Sequence, residues 1–414
     1  MADGGLAGLR RWWRTWVLRQ GRLIAALVGL GTWAFGVGVS AGLVLIQGGL
    51  SAGSSRRLQW TTFPALGLAI ALWAAAWTVH TARNRMLRRN GIAYLLREQA
   101  RDWAQDSPDN FYAEVRERFA DVITVPRAAA VGRTWDWPLD RDARLWDAKV
   151  TDLVRTFRVL LDAVHARNRE EGTSGVPDAI FVTAWWAVAM AFGRRLRLGI
   201  RNWEPEVWQR PSDGRSGQVM PVPWSRQRPH TFAGRAVPAP PGLTPRWLTW
   251  EADLTVTRPD GTGQVPGGDA VSILLVRFGH GRWGSLPLED PAHPVPLTLL
   301  DAGEVVPVKE PARVLVHELR CLPRDGAPTF DWADFPFLAA TATAWIQEKA
   351  KELTHSTLLL GATMPNEVAL GIGISSGRPE SDAWPATMWP VVYQQPTRTL
   401  VVTRLDLGAG LPPE

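Results

Sequence analysis

The sequence predicts an α/β protein in which a hairpin of two membrane-spanning helices precedes a cytosolic domain built from two related halves. Three observations support this fold class. Two apolar runs near the N-terminus are flanked by arginines. Amphipathic helix patterns then alternate with short apolar strand patterns, which is typical of α/β domains. Finally, one strand–turn–helix pattern occurs twice, 178 residues apart.

Composition and charge narrow the class of protein. The chain has 414 residues, which suggests two or three structural units. Its single cysteine excludes an internal disulfide framework and a cysteine-rich zinc site. Residues 1–101 contain 13 arginines, no lysine and two acidic residues, whereas the remaining residues contain 33 basic and 38 acidic ones. A nucleic-acid-binding chain would more often spread basic charge over its folded domain, so no DNA partner is expected.

Two segments are predicted to cross the membrane, residues 23–46 and 60–82. Neither contains Asp, Glu, Lys or Arg, and about 20 apolar residues suffice for a span. A signal peptide is the alternative for the first segment, which is however longer than the apolar core of such a peptide. Five arginines precede the first span, six follow the second closely and two lie between them. The positive-inside rule then places both termini of a multi-pass inner-membrane protein in the cytoplasm.

The flanking residues suggest how the hairpin is held. Residues 1–22 are rich in tryptophan and arginine, which indicates either an interfacial helix at headgroup level or an anchor continuous with the first span. Within that span, Ala34, Gly38 and Gly42 form a stripe of small residues, which lets another helix approach closely. That helix belongs either to the same hairpin or to another subunit.

The cytosolic part is predicted to begin with coupling helices and a linker at residues 83–140, because the pattern through residue 120 is helical and amphipathic. A sensor domain at 141–414 follows, with halves at about 141–300 and 301–414. Strands are predicted at 250–257, 270–278, 313–319 and 399–405.

The repeat supports the division into halves. Residues 180–196 align without a gap with residues 358–374. The identical pairs are Ala184 with Ala362, Ala191 with Ala369, and Gly193 with Gly371. Each copy follows an amphipathic helix and precedes a strand rich in tryptophan and proline. We interpret the second copy as a buried strand, a turn and a helix from Asn366, because Pro365 interrupts the apolar run too early for a third span.

Motifs of known enzymes are not found. The sequence GIGISSG from Gly371 follows a helix instead of opening one, so it does not predict dinucleotide binding. HELRC from His317 lacks the second histidine of a zinc protease. No catalytic residue and no metal ligand is therefore predicted, and the domain is interpreted as a sensor and not as an enzyme.

Two membrane spans followed by this repeated pattern resemble the transmembrane SAVED effectors of CBASS anti-phage systems. The residues that carry the resemblance are TLLLGATMPNEVALGIGI, from Thr357, and WPVVYQQ, from Trp389. The resemblance covers residues 140–414. It implies two fused CARF-like, and hence Rossmann-like, halves that bind a cyclic di- or trinucleotide made by a partner nucleotidyltransferase. The first half departs from the pattern, since a double tryptophan stands where the second half has Thr363 and Met364.

Candidate ligand contacts follow from the general rule that open α/β sheets bind ligands at the carboxyl ends of their strands. The helix starts that follow offer backbone N–H groups to phosphates, and aromatic rings offer stacking surfaces to bases. Arg194 is a further phosphate-pairing candidate. The predicted ligand-binding residues are Thr183, Trp185, Trp186, Arg201, Thr363, Met364, Asn366, Arg378, Tyr393 and Gln395.

These observations lead to a hypothesis of function. A cyclic oligonucleotide binds the SAVED-like domain, the chain forms homo-oligomers, and the hairpins disrupt the inner membrane as an abortive-infection defence. The partners are then the nucleotide, the lipid bilayer and further copies of the chain, with no cofactor besides the activating ligand. The alternative is a membrane-anchored α/β enzyme or protein-binding scaffold with an unrelated ligand.

Overall fold

A computed structural model gives the fold. It describes residues 21–47, 52–97, 115, 119–125, 146–170, 175–200, 205–209, 220–222, 241–257, 270–279, 297–301, 312–324, 327, 330–331, 334–377, 384–394, 399–403 and 405–410. The chain divides into two units. One comprises residues 1–92 with 115–122 and 168–177, and the other comprises residues 93–114, 123–167 and 178–414.

The helices and strands form a mixed α/β fold, as the sequence predicts, with six consecutive strands between the fourth and fifth helices. The helices are α1 (Gly21–Gln47), α2 (Ala52–Asn90), α3 (Trp146–Glu170), α4 (Trp186–Gly199), α5 (Phe335–Glu352) and α6 (Asn366–Ser376). The strands are β1 (Ile92–Arg97), β2 (Asp121–Val125), β3 (Asp178–Thr183), β4 (Glu206–Gln209), β5 (Met220–Val222), β6 (Arg246–Thr257), β7 (Ala270–Phe278), β8 (Leu297–Asp301), β9 (Ala312–Cys321), β10 (Ser356–Thr363), β11 (Trp389–Gln394) and β12 (Thr399–Val402). The predicted strand at 270–278 and the predicted helix start at Asn366 are both confirmed.

Helices α1 and α2 form an antiparallel pair. A Cβ atom on Gly31 would lie 2.7 Å from the Trp73 ring, and one on Gly38 would lie 2.9 Å from Leu66 Cγ. The helices are antiparallel because the later glycine meets the earlier residue of α2. Ala34, which lies between the two glycines, is only 2% exposed. The predicted stripe of small residues therefore packs within the pair, at least as far as residue 38.

One of the two helices contains an apolar stretch long enough to cross a membrane. Among the residues that the structure describes, the stretch Thr62–Leu87 is long and apolar enough to cross a membrane, whereas the apolar stretch Ile24–Ser40 is shorter. The first predicted span thus remains a prediction. Residues 1–20, with the predicted interfacial helix, lie outside the described residues, and so do the surroundings of Gly42.

The prediction of coupling helices through residue 120 is wrong for residues 92–97, which form a strand, whereas Val115 is helical as predicted and residues 98–114 lie outside the described residues. Gly91 adopts a positive φ of 70°, and its N–H still bonds the carbonyl of Leu87 at 2.9 Å, which is a common way for a helix to end. A Cβ at this position would lie 2.6 Å from the carbonyl oxygen of Pro177, so the close approach also requires glycine. The chain then enters β1, where Tyr94 packs edge-on against Phe157 at 5.3 Å.

The strands form two sheets whose topologies correspond. The first has the order β2-β1-β3-β4-β5. The second closes on itself in the order β10-β11-β12-β8-β6-β9-β7. In the first sheet, β3 pairs in parallel with β4, and β4 pairs antiparallel with β5. In the second sheet, β10 pairs in parallel with β11, and β11 pairs antiparallel with β12. Without β6 and β8, the second order reads β9-β7-β10-β11-β12 and matches the first strand for strand.

This correspondence supports a duplication whose halves group the strands differently from the predicted boundaries. The predicted first half, 141–300, omits β1 and β2, which belong to the first sheet. The same range wrongly includes β7, which pairs with β10 of the second sheet along eight residues. The second sheet is also closed by β6 and β8, so it differs from the open Rossmann-like sheet that the resemblance implies. We call the segment from β1 to residue 410 the repeat domain.

Helices α4 and α6 pack the two halves together through glycine. A Cβ on Gly193 would lie 2.7 Å from the carbonyl oxygen of Leu370, and a Cβ on Gly373 would meet the carbonyl oxygen of Met190 at an even shorter distance. These two contacts are reciprocal, because residues 190 and 193 correspond to 370 and 373 at an offset of 180. The halves are therefore related by an approximate two-fold axis at this crossing.

Gly193→Ala and Gly373→Ala should each destabilise the repeat domain by about 1–3 kcal/mol, because the added methyl group meets backbone atoms that cannot rotate away. Helix propensity alone would favour alanine over glycine by about 1 kcal/mol. Thermal unfolding of the full chain measures the effect. Gly410→Ala is the matched control, since its Cβ would make an ordinary 3.4 Å contact with Leu198. Equal stability of all three variants would contradict the crossing.

Candidate functional site

The candidate site is formed by the turns that connect β3 to α4 and β10 to α6. Trp185 precedes α4 with φ −59° and ψ 142°, and Pro365 precedes α6 with φ −58° and ψ 144°. The carbonyl of each accepts the first helical hydrogen bond, at 3.0 and 3.1 Å. Neither helix start carries a side-chain cap. Apart from the N–H of Glu367, which bonds its own carboxylate, the backbone N–H groups of both first turns therefore have no partner within their own helix.

The two helix N-termini lie on the same side of the crossing. A Cβ on Gly373 meets backbone atoms of residues 190 and 194, whereas a Cβ on Gly377, one turn later, meets atoms of residues 194 and 197. A later residue of α6 thus contacts a later residue of α4, so the two helices run in the same direction. Each N-terminus lies seven residues before its crossing glycine, which corresponds to about 10 Å. The positive ends of two helix dipoles thus lie at the same end of the helix pair, which favours an anion there.

Among the side chains that the structure describes, aromatic residues line the first of the two turns. Trp185 is half-buried, and its ring lies edge-on to Trp146 at 5.5 Å and to Trp186 at 5.4 Å. Trp186 is only 7% exposed, so its ring is part of the core and offers little surface for stacking. The stacking prediction for the first half therefore depends on Trp185. The second half has Pro365 at the corresponding position, which makes the two turns chemically different.

The structure brings together only some of the residues that the sequence predicts for the site. Thr363, Met364 and Asn366 are half-buried and form the turn before α6. Tyr393 lies near the carboxyl end of β11, the parallel neighbour of β10, and so at the same edge of the sheet as Thr363. The predictions for side chains that the structure does not describe stay open: these are Thr183 and Tyr393 in strands, and Arg201, Arg378 and Gln395 outside the described residues.

Arg194 is not positioned for the predicted phosphate contact. Its Nε donates to the carbonyl of Gly408 at 3.0 Å, its Nη1 donates to the carbonyl of Ser376, and its guanidinium lies 5.6 Å from the Trp384 ring. Burial lowers its pKa to about 10, although the charge of Asp406 acts in the opposite direction. This arginine therefore holds the segment at 405–410 against α4.

The neighbouring Arg195 has a similar role that the sequence did not reveal. Its side chain is fully buried. Nη1 donates to the carbonyl of Asp147 and to Thr151 Oγ1, both at 3.0 Å, while Nη2 bonds the Asp147 carboxylate and the carbonyl of Asp406. A double arginine near a helix end gives no signal of such burial, because surface helices commonly carry the same pair.

Glu367 is the other residue that sequence reasoning missed. It lies in the first turn of α6 and is 9% exposed. Burial raises its pKa to about 7, against the opposing effect of a hydrogen bond from its own backbone N–H. It is the one acidic residue in the apolar stretch 355–374, and this isolation is the signal that could have identified it. When protonated, it leaves the positive helix ends available to an anion.

Comparisons with known proteins give distant structural similarity only. The sequence matches no protein-family model and no curated protein. The fold is similar to the Cap4 SAVED/CARF-domain containing receptor of Acinetobacter baumannii with the cyclic trinucleotide 3′3′3′-cAAA, at a TM-score of 0.37 and 11% identity. With 2′3′3′-cAAA, the same receptor gives 0.38 and 10%. Both alignments cover 86% of this chain and 60% of the receptor. These scores are too low to assign a ligand to this chain.

The site can be tested first through Glu367. Its folded pKa of about 7 exceeds the ordinary value of 4.5, so its contribution to stability is fully present below about pH 4.5 and is lost as the pH rises through 7. The wild type should therefore lose about 3 kcal/mol of unfolding free energy between pH 4.5 and 8 that Glu367→Gln does not lose. Denaturant unfolding at several pH values measures this difference. The exposed Glu348→Gln is the control, and identical pH profiles for Glu367→Gln and wild type would contradict the assignment.

Proposed function

We propose that the repeat domain is a receptor for a cyclic oligonucleotide, which binds where α4 and α6 begin. The observation that carries the proposal is the location of two helix N-termini, one from each half, at the same end of the α4–α6 pair. Each offers unpaired backbone N–H groups and a positive dipole end to a phosphate. A cyclic oligonucleotide presents its phosphates around a ring, so one ligand can engage both turns at once.

The chemical difference between the two turns suggests an asymmetric mode of binding. A base stacks on the half-buried Trp185 at the first turn, while the second turn offers Thr363 and Asn366 as hydrogen-bonding groups. Stacking is tolerant of base identity, whereas hydrogen bonds to a base edge discriminate between bases. The second half then contributes more to ligand selectivity than the first.

We also propose that the α1–α2 pair spans the inner membrane, with both termini in the cytoplasm. The large apolar side chains on its outer surface support this, since Trp33, Phe63 and Trp77 are 69%, 70% and 72% exposed. Contiguous apolar surface of this kind is rare on proteins that contact only water. Ligand made by a partner nucleotidyltransferase causes the receptor domains to associate. The tethered helix pairs then reach a high local concentration and disrupt the bilayer.

Binding is tested with the full chain in detergent and a panel of cyclic di- and trinucleotides. A ligand at 100 times its dissociation constant should stabilise the protein by about 2.7 kcal/mol, which is visible as a higher melting temperature. Trp185→Ala should lower the affinity by about 5- to 150-fold through the loss of stacking. Trp247→Ala, which removes the exposed tryptophan of β6, is the control. Absence of a shift with every member of the panel would reject the receptor proposal.

The membrane step is tested by measuring membrane potential in cells that produce the ligand. Gly38→Leu should abolish ligand-dependent depolarisation, because the larger side chain collides with Leu66 and separates the helix pair. Gly36→Leu is matched in size and helix, but a Cβ at residue 36 meets nothing within 4 Å, so this variant should still depolarise the cells. If cells with the Gly38→Leu variant still depolarise, close packing of α1 against α2 is not needed for depolarisation. A wild type that never depolarises cells would reject the effector role.

A further inference from the structure

Three arginines lie side by side in the second sheet, beginning next to the candidate site. Thr363, the last residue of β10, is in register with Arg277 of β7. Arg277 is in register with Arg320 of β9, which is in register with Arg246 of β6. We call the three residues 277, 320 and 246 the arginine row. It crosses three neighbouring strands, which corresponds to about 10 Å.

The row lies on one face of the sheet. Residues paired in register on neighbouring strands point to the same face, and so do residues two apart along a strand. Glu318 is two residues before Arg320, and its Oε1 accepts a hydrogen bond from Arg277 Nη1 at 3.1 Å. Exposure increases along the row, because Arg277 is buried, Arg320 is half-buried and Arg246 is exposed. The row therefore begins in the core and ends at the surface.

The arrangement is electrostatically unfavourable without a further anion. Like charges directly opposite each other on neighbouring strands destabilise a sheet. Glu318 balances one of the three positive charges and is itself engaged by Arg277. Within the described part of the chain, Arg320 Nε is also buried and has no hydrogen-bond partner. Among the described side chains, Arg320 and Arg246 therefore have no carboxylate partner, and they offer two positive charges and a buried donor to an anion.

We propose that the arginine row binds consecutive phosphate groups of the ligand. This rests on the proposed function, since it places the phosphates of the cyclic oligonucleotide along the row from the turn at Thr363 outwards. The planar guanidinium group has donors in a fork that fits phosphate oxygens, and three such groups in a line exceed the size of one phosphate. The same chemistry would accept a free polyphosphate, so the experiment includes both kinds of ligand.

The test measures melting temperature and affinity of the full chain in detergent at low salt, with a cyclic trinucleotide and with tripolyphosphate as separate probes. Arg320→Gln should weaken binding of the trinucleotide by about 10- to 100-fold, as expected for charged hydrogen bonds. Without any anion, the same variant should melt at the same temperature or about 1–3 °C higher, because the repulsion between neighbours is relieved. Arg320→Lys should retain part of the affinity. Arg155→Gln, an exposed arginine of α3, is the control.

The outcomes separate this inference from the proposed function. Trinucleotide binding that is unchanged in Arg320→Gln would overturn the arginine row and leave the receptor proposal intact. A lower melting temperature of Arg320→Gln without anion would also overturn it, since the residue would then be structural. Stabilisation by tripolyphosphate that is lost in Arg320→Gln but kept in Arg155→Gln supports the row, even if every cyclic nucleotide fails to bind. In that case the receptor proposal fails alone.

Discussion

The glycine contact between α4 and α6 determines the position of everything else in the repeat domain. Gly193 and Gly373 let the backbones of the two helices touch, and a side chain at either position would collide with a carbonyl group. Protein interiors are packed too densely to absorb such a collision without displacement of the surrounding elements. Because the helices cross in the same direction, the strands that precede them end on the same side. The candidate site is therefore a consequence of this crossing, and its two turns cannot be moved apart independently.

The electrostatic potential around the candidate site is positive. Two helix N-termini contribute positive potential, and the arginine row extends it across the second sheet. The acidic residue in the first turn of α6 has its pKa raised by burial, which limits its negative charge near neutral pH. In contrast, Arg194 and Arg195 are occupied by carbonyl groups and by the Asp147 carboxylate. Arginines in this domain thus differ in role: Arg194 and Arg195 hold chain segments together, whereas we propose that the arginine row binds an anion.

The sequence predicted what depends on local pattern and missed what depends on distant contacts. Strand β7 and the start of α6 follow from short apolar runs and from Pro365. The ungapped repeat kept the starts of the strands in register, since β3 and β10 begin 178 residues apart, but the helices begin 180 apart because β10 is two residues longer than β3. That insertion hid the pairing of Gly193 with Gly373. Strand β1 was missed because Gly91 ends the helix and Tyr94 packs against Phe157, which no local pattern shows. The arginine row was missed because its members are neighbours only through strand register.

The direction of the crossing is the central claim, and disulfide trapping tests it most directly. A Cβ on Gly377 would lie 2.9 Å from the Cβ of Arg197 and 2.7 Å from the carbonyl oxygen of Arg194, so a cysteine there must move outward by about 1 Å, to the separation of about 3.5–4.5 Å found in disulfides. With Cys321 replaced by serine, Arg197→Cys together with Gly377→Cys should form an intramolecular disulfide under mild oxidation. Arg197→Cys with Met364→Cys should not, because residue 364 lies 13 positions earlier, about 20 Å along the helix direction. Efficient trapping of the second pair and not the first would show that the helices run in opposite directions and would contradict the account.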